Sequence, residues 1–389
     1  MKVLVLGGCG VQGRTAIYDL ANNSDVKEVF CADIRFDDLG KIKDFVDMAK
    51  INPVKVDAGN SDELKNLFQQ ADVVIDLLPA NFKGIVCNAA FATGTNVVNT
   101  NYSSPIAGLD SQAKAADVII MSECGLDPGI DLIIYNRAMQ YFDEIHVINS
   151  YCGGFPEKTA CNNPLSYKVS WIWEGVLNSC RRDSRIIKDG QVFSIPGDDQ
   201  HEARHIHTVD FPGLGSLEAI PNGDAVYFAE LLGIRETIRD TGRYSLRWPG
   251  WSAFWHPLKQ LDFLSKEPVP GLPCEVSPYQ FLSKFLEPKL QYKDDEKDLV
   301  AMVNIFEGLR GQRKVRLTSR MLIERDLDTG LMAMSKGVGY SASIVAQMIA
   351  RGEITDRGIL TPATAVPWQP FLKELADRGI VIEEQETKL

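Results

Sequence analysis

No stretch of this 389-residue chain approaches the roughly 18 consecutive apolar residues that a membrane-spanning helix needs. The opening apolar run, residues 3–6, stops at glycine after four residues, too short for the core of a secretory leader. C-x-x-C pairs are missing, and the eight cysteines are scattered from position 9 to position 274, far below the density of a disulfide scaffold. Reduced thiols and a cytoplasmic setting are expected. Basic residues are few: 41 Lys and Arg stand against 52 Asp and Glu, a net charge of −11, and basic runs are pairs such as Arg181-Arg182. That argues against phosphate-backbone binding, so nucleic-acid and membrane partners are not expected. Internal repeats and low-complexity tracts are also missing, while a 45% hydrophobic content excludes disorder as the main state.

What is present is a change of texture along the chain. Residues 3–6, 29–33, 54–57, 73–77, 96–99 and 118–121 form short, near-continuous apolar runs, as strands covered on both faces must be. Amphipathic stretches at 14–21, 62–70, 84–93 and 106–116 lie between them. This alternation predicts an α/β fold with a doubly wound parallel sheet of the Rossmann type over residues 1–125. Asp127-Pro128 then opens a helical pattern to residue 142, with Asp127 as N-cap and Pro128 at N1. From about 145 the strands read as antiparallel, giving an α+β second domain over 126–340. Its clearest feature is a hairpin of residues 314–324 and 331–336 around Asp328-Thr329-Gly330. The tract 248–278, with Trp248, Trp251 and Trp255 among six prolines, reads as an irregular packed cover or subunit contact. Helical patterns at 341–351 and 367–378 belong to a final segment, 341–389.

Gly8-Cys9-Gly10-Val11-Gln12-Gly13 follows a strand and precedes a helical pattern, the context that the G-x-G-x-x-G fingerprint requires. Gly8 permits the turn, Gly10 admits a pyrophosphate to the backbone, and Gly13 lets helix and strand pack closely. The N–H groups of the helix start face the phosphates. Asp33 ends the second strand, placed for the adenosine ribose, which favours NAD; Arg35 keeps NADP open. Leu78 and Pro79, at the end of the fourth strand, are expected at the nicotinamide ribose.

Further motifs carry a resemblance. Gly125-Leu126-Asp127-Pro128-Gly129-Ile130-Asp131, then Ser150-Tyr151-Cys152-Gly153-Gly154-Phe155-Pro156, Asn163-Pro164-Leu165, Tyr167-Lys168-Val169-Ser170-Trp171 and Gly175-Val176-Leu177 resemble the saccharopine dehydrogenase/reductase family in order and spacing, especially its glutamate-forming branch. Thr100-Asn101-Tyr102 resembles the same family's step after the fifth strand. The stretch from Ser343 to Gly352 is more similar to lysine 6-dehydrogenase. The resemblance implies hydride exchange between a nicotinamide cofactor and the C–N bond of an amino-acid amine or imine. It also implies that the last segment returns to the Rossmann domain and that the second domain forms the substrate pocket and a homodimer contact.

The expected catalytic residues are Asp127, Tyr102 and Lys168, which handle protons or orient the nitrogen. Arg243 and Arg247 are candidates to clamp carboxylates, because guanidinium binds them bidentately. Cys152, Gly153, Trp171 and Glu174 are the remaining substrate-side candidates. Two departures bear on the substrate. Pro221-Asn222-Gly223-Asp224 has glycine where saccharopine reductases usually have arginine, and Glu174 stands where arginine is usual. Both remove a cation and point to a less acidic substrate, or to another arginine in compensation. Lysine 6-dehydrogenase-type oxidative deamination is the alternative within the class, and a non-catalytic NAD-sensing protein lies outside it. His201-Glu202-Ala203-Arg204-His205 matches H-E-x-x-H, but the Pro and Gly just before it and the alternating residues after it argue against the helix that a zinc site of that kind needs; no metal is expected.

Overall fold

The computed structural model describes residues 1–389. In chain order the first elements are β1 (Lys2–Leu6), α1 (Val11–Asn22), β2 (Glu28–Asp33), β3 (Ile51–Lys55), α2 (Ser61–Phe68), β4 (Val73–Asp76), α3 (Lys83–Thr93), β5 (Asn96–Asn99), α4 (Asp110–Ala115), β6 (Ile119–Met121) and α5 (Ile130–Tyr141). Next come β7 (Glu144–Pro156), α6 (Trp173–Ser179), β8 (Ser184–Lys188), β9 (Gln191–Ile195), β10 (His207–Phe211), β11 (Gly215–Pro221), α7 (Ala225–Leu231), β12 (Asp240–Arg247), α8 (Trp251–Gln260), α9 (Pro278–Leu286), β13 (Asp298–Arg310) and β14 (Arg313–Glu324). The chain closes with α10 (Ala333–Ala350), β15 (Gly358–Leu360), α11 (Pro362–Ala365), α12 (Trp368–Asp377) and β16 (Glu383–Lys388). No helix is long and apolar enough to cross a membrane.

Two units divide the chain: Met1–Arg137 with Asp328–Val381, and Ala138–Leu327 with Ile382–Leu389. The first holds a seven-stranded, all-parallel sheet in the order β15-β6-β5-β4-β1-β2-β3. Its central strands are apolar on both faces: Val3 to Leu6 and Val73 to Ile75 are fully buried, as crossover helices on both sides of the sheet demand. The third strand starts three residues earlier than the apolar pattern suggests. It includes Pro53, which the outermost strand tolerates because no further neighbour needs its missing N–H.

Residues 333–350 are one helix, α10, which replaces the expected second arm of a hairpin. The strand 313–324 pairs instead with β13 and β16. The helix wins because its small residues let it settle on α1: a Cβ at Gly339 would lie 2.9 Å from the Gln12 carbonyl oxygen and 2.8 Å from Thr15 Cβ. A buried polar network fixes the same contact. Ser343 Oγ donates to Asp19 at 2.6 Å, Gln347 donates to it at 3.2 Å, and Arg378 forks onto both carboxylate oxygens at 2.5 and 3.1 Å.

The second unit is built on a nine-stranded mixed sheet. Its main path is β10-β11-β12-β7-β13-β14-β16, with β8 attached to β12 and β9 to β8. Strand β7 runs parallel to β12 and antiparallel to β13. Gly153 allows its close approach, since a Cβ there would come within 2.0 Å of the Leu246 carbonyl oxygen. The tryptophan-rich tract is irregular only in part: residues 261–277 form no helix or strand, whereas Trp251 and Trp255 lie on α8 and are buried with Tyr167 and Trp173 in an aromatic core.

Candidate functional site

Within the first unit, β1 lies between β2 and β4, the point where strand order reverses and where doubly wound sheets bind ligands. The glycine loop leaves β1 there. Gly7, at φ +73°, donates to Ala32 O at 2.9 Å, and Gly10 donates back to Gly7 O at 3.1 Å. A Cβ at Gly13 would sit 2.2 Å from Gly7 O, so this glycine is needed for packing. A Cβ at Gly10 would meet only Gly7 O, at 3.2 Å; the space beside Gly10 is otherwise open. No side chain caps α1 at Gly10, which leaves the first-turn N–H groups of Val11, Gln12 and Gly13 facing outward for an anion. Gln12 also holds a buried side-chain oxygen without a partner. These features fit a dinucleotide pyrophosphate.

Asp33 does more than end β2. One carboxylate oxygen accepts from the Cys9 N–H at 2.9 Å, the other from the Ile34 and Arg35 N–H groups at 2.7 and 3.3 Å. The carboxylate therefore anchors the glycine loop, with little acceptor capacity left over for a ribose. Arg35 is exposed beside it, a free-standing cation suited to a phosphate on that ribose. Leu78 donates its N–H to Asp76 at 3.0 Å, and its side chain lies near the loop at Gly7; Pro79 follows, exposed.

At the same carboxyl edge of the sheet, the loops after β4, β5 and β6 are tied together by charged groups that the sequence reading passed over. Asp76, at the end of β4, is fully buried, and its carboxyl is pushed up to about 6 by desolvation. Lys83, at the start of α3, donates to the Tyr102 carbonyl oxygen at 2.6 Å, and burial lowers its ammonium. Glu123, buried at φ +63°, accepts from Ser103 N–H at 3.0 Å, Ser103 Oγ at 2.9 Å and Thr361 Oγ at 2.6 Å. The available signal was an acid ending the otherwise apolar Val73-Val74-Ile75-Asp76.

Asp127 is not an N-cap. It lies in a tight turn closed by the Gly125 N–H donating to Pro128 O at 3.1 Å, with a cis Asp127-Pro128 bond, and α5 begins only at Ile130. Asp131 serves the helix start instead, accepting from the Gly129 N–H at 2.8 Å. Gly129, at φ +151°, admits no side chain, because a Cβ would lie 1.9 Å from Gly125 O. The turn leaves Asp127 half-exposed on the same edge as the Tyr102 loop.

In the second unit the candidates have unlike surroundings. Lys168 is buried and ion-paired with Glu296 at 2.5 Å, near the face of Tyr292. Trp171 covers Gly175, where a Cβ would be 2.4 Å from the ring, and Glu174 is exposed, 3.6 Å from Lys284. Cys152 is buried mid-strand in β7 beside Gly153. Arg243 and Arg247 are both on β12 and are only 3% and 7% exposed. The Arg243 guanidinium lies 4.6 Å over Phe228. That of Arg247 sits between Tyr167 and Trp251, at 5.3 and 5.1 Å, with its Nε unpartnered. The His201 cluster does not form the two-turn helix of a zinc motif: only residues 203–205 are helical, as a single 3₁₀ turn. His201 is buried with Nδ1 3.0 Å from Lys259 Nζ, and desolvation pulls its imidazole down to about 3.

The family model for the saccharopine dehydrogenase NADP binding domain matches residues 3–121, and the model for the saccharopine dehydrogenase C-terminal domain matches residues 125–380. Among curated proteins, the chain is 27% identical over 99% of its length to mouse alpha-aminoadipic semialdehyde synthase, mitochondrial, and spans about half (48%) of that relative. It is 28% identical to saccharopine dehydrogenase [NADP(+), L-glutamate-forming] of Pyricularia oryzae, covering 86% of this chain and 88% of that one. Among solved structures, apo saccharopine dehydrogenase (L-Glu forming) from Saccharomyces cerevisiae superposes with a TM-score of 0.84 at 25% identity, covering 99% of both chains.

Proposed function

Because the chain belongs to the saccharopine dehydrogenase family, we propose that it is an oxidoreductase of the saccharopine dehydrogenase type, exchanging hydride between NADP and the C–N bond of an amino-acid amine or imine. The observation that carries this reading is the uncapped helix start behind the Gly8-to-Gly13 loop at the strand-order reversal, with the Asp127 and Tyr102 loops on the same edge of that sheet. When bound, the nicotinamide supplies or accepts the hydride. The glycine loop holds the pyrophosphate, Asp33 holds the loop, and Arg35 selects the 2′-phosphate, favouring NADP over NAD.

Reducing an imine carbon raises the basicity of the nitrogen, which must gain a proton; Asp127 and Tyr102 are assigned to hold and orient that proton. Lys168, neutralised by Glu296, is assigned a positioning role for the residues 167–171. Arg243 and Arg247 take the substrate carboxylates. Arg247 is the stronger candidate, because its buried guanidinium keeps an unpartnered Nε that an incoming carboxylate would satisfy. Gly223 favours a substrate with fewer carboxylates than saccharopine, and lysine-type oxidative deamination is the second reading that this position supports.

A cytoplasmic setting is supported by eight thiols, none in a disulfide. A second copy of the chain as partner is supported by the exposed, stacked Phe281 and Phe285 on α9, 5.3 Å apart. The test is absorbance at the reduced-nicotinamide band with saccharopine, then with lysine, and each oxidised nucleotide. Nucleotide reduction by either substrate supports the class and identifies the branch. Nucleotide binding without reduction by any amino acid contradicts it and leaves a sensor.

A further inference from the structure

Two thiols meet beneath the glycine loop. Cys9 lies inside the loop and is 7% exposed, while Cys31 lies on β2 and is fully buried; their sulfurs are 3.6 Å apart. The contact is set by backbone. β1 and β2 pair with Val5 opposite Cys31, and the loop is folded back over β2 by the Gly7 and Gly8 N–H bonds to Ala32 O at 2.9 and 3.3 Å. The Cys9 N–H bond to Asp33 holds the loop down at its far side. Cys31 Sγ fills the space under the turn so closely that a Cβ on Gly8 would be 2.7 Å from it.

We propose that Cys9 and Cys31 are an oxidisable dithiol whose disulfide closes the nucleotide site. The co-reactant is a peroxide. Cys9, the more exposed, attacks one oxygen as thiolate; the O–O bond breaks, a sulfenic acid forms and the other oxygen leaves as water. Cys31 then attacks Sγ of Cys9 and expels the second water. Two thiols lose two electrons and two protons, and one peroxide becomes two waters.

Closing the sulfurs from 3.6 Å to the roughly 2.05 Å of a disulfide draws Cys9 about 1.5 Å toward β2. The flanking Gly8 and Gly10 are the residues a pyrophosphate must approach, so oxidation distorts the phosphate cradle. Binding and oxidation therefore oppose each other, and a bound nucleotide that covers the loop slows the reaction by the same linkage. Burial raises both thiols above the ordinary range, so the reaction is slow at neutral pH and accelerates in alkali.

The inference rests on the nucleotide reading of the loop, and the experiment separates the two. The full chain is treated with hydrogen peroxide, with and without NADPH; free thiols are alkylated, and peptides are analysed by mass spectrometry. A Cys9–Cys31 linked pair, suppressed by NADPH, is expected. NADPH affinity is measured by fluorescence before oxidation, after it, and after dithiothreitol; a loss of at least tenfold, reversed by the reductant, is expected. Cys31→Ser and Cys31→Ala are expected to keep the unoxidised affinity within twofold and to resist peroxide. Absence of the linked pair overturns the dithiol, whatever the chain binds. A linked pair with undiminished affinity overturns the closing of the site. Failure of the untreated chain to bind NADPH defeats the nucleotide reading and the gating together, while the mass measurement still judges the dithiol.

Discussion

Gly10 and Gly13 are three residues apart, but alanine at each is expected to damage a different property. At Gly13 a methyl carbon would lie 2.2 Å from Gly7 O, 2.7 Å from Gly8 Cα and 2.8 Å from Gly8 C, all backbone atoms that no rotamer can move. Restoring ordinary contact requires α1 to move about 1 Å away from β1, which also disturbs its close contact with Gly339 of α10. Overpacking of this kind costs about 1–3 kcal/mol, and the backbone contacts place Gly13→Ala at the upper end. For a unit of this size that is a melting-temperature fall of about 5–10 °C.

At Gly10 the only neighbour is Gly7 O at 3.2 Å, and φ is −63°, which alanine adopts freely. Gly10→Ala is therefore expected to melt within about 2 °C of the parent chain, a stability change of under ~1 kcal/mol. Its methyl group occupies the approach of the pyrophosphate, and NADPH affinity is expected to fall at least tenfold. Differential scanning calorimetry and NADPH fluorescence titration read the two effects. Equal affinity of Gly10→Ala and the parent chain refutes the placement of the phosphates. A Gly13→Ala variant that melts with the parent refutes the packing argument.

Asp76→Asn addresses the buried acid at the end of β4. Its carboxyl stands at about 6 in the folded chain, against 3.8 for an ordinary aspartate, because of burial. Between those values the folded chain keeps a proton that the unfolded chain has lost, so this group's stability contribution falls as pH rises from about 4 to about 6, by up to ~3 kcal/mol. Asp76→Asn removes that loss, and its advantage in urea melts is expected to grow across this window and then level off; a constant difference from pH 4 to 7 contradicts the assignment. Asp127→Asn is expected to hold NADPH affinity within twofold while turnover falls by about a hundredfold or more, and unchanged turnover removes Asp127 from proton handling. Asp33→Ala frees the N–H groups of Cys9, Ile34 and Arg35 and is expected to weaken NADP and NAD alike in titration; unaltered affinity for both counts against the loop-anchoring role.

The first unit was legible because a parallel sheet buried on both faces writes itself as apolar runs, and because the glycine loop is a local motif whose neighbours in sequence are its neighbours in space. Its seventh strand, β15, was not legible: Gly358, Ile359 and Leu360 make a three-residue run whose pairing to β6 is set by residues far away in sequence. The expected hairpin failed for a related reason. Residues 331–336 carry no period long enough to distinguish a strand from a first helical turn, and the contact of Gly339 with α1 decided the matter. Asp127-Pro128 matched a helix start by composition, but the backbone turns at Gly125 and Gly129 before the helix begins. In the second unit the arginines were found from their types, while burial and ring stacking, which distinguish Arg247 from a surface charge, came only with the fold. Lys83 and Glu123 escaped notice because their partners come from loops after different strands, and Asp76 because its complete burial came only with the fold.

The most direct test of the account is hydride transfer itself. The purified chain is mixed with NADP and saccharopine, and separately with NADP and lysine, and absorbance is followed at the reduced-nicotinamide band. Growth of that band with at least one of the two, slowed about tenfold or more by Gly10→Ala at limiting nucleotide, is the predicted result; a flat trace with both, from a chain that binds NADPH, would contradict it.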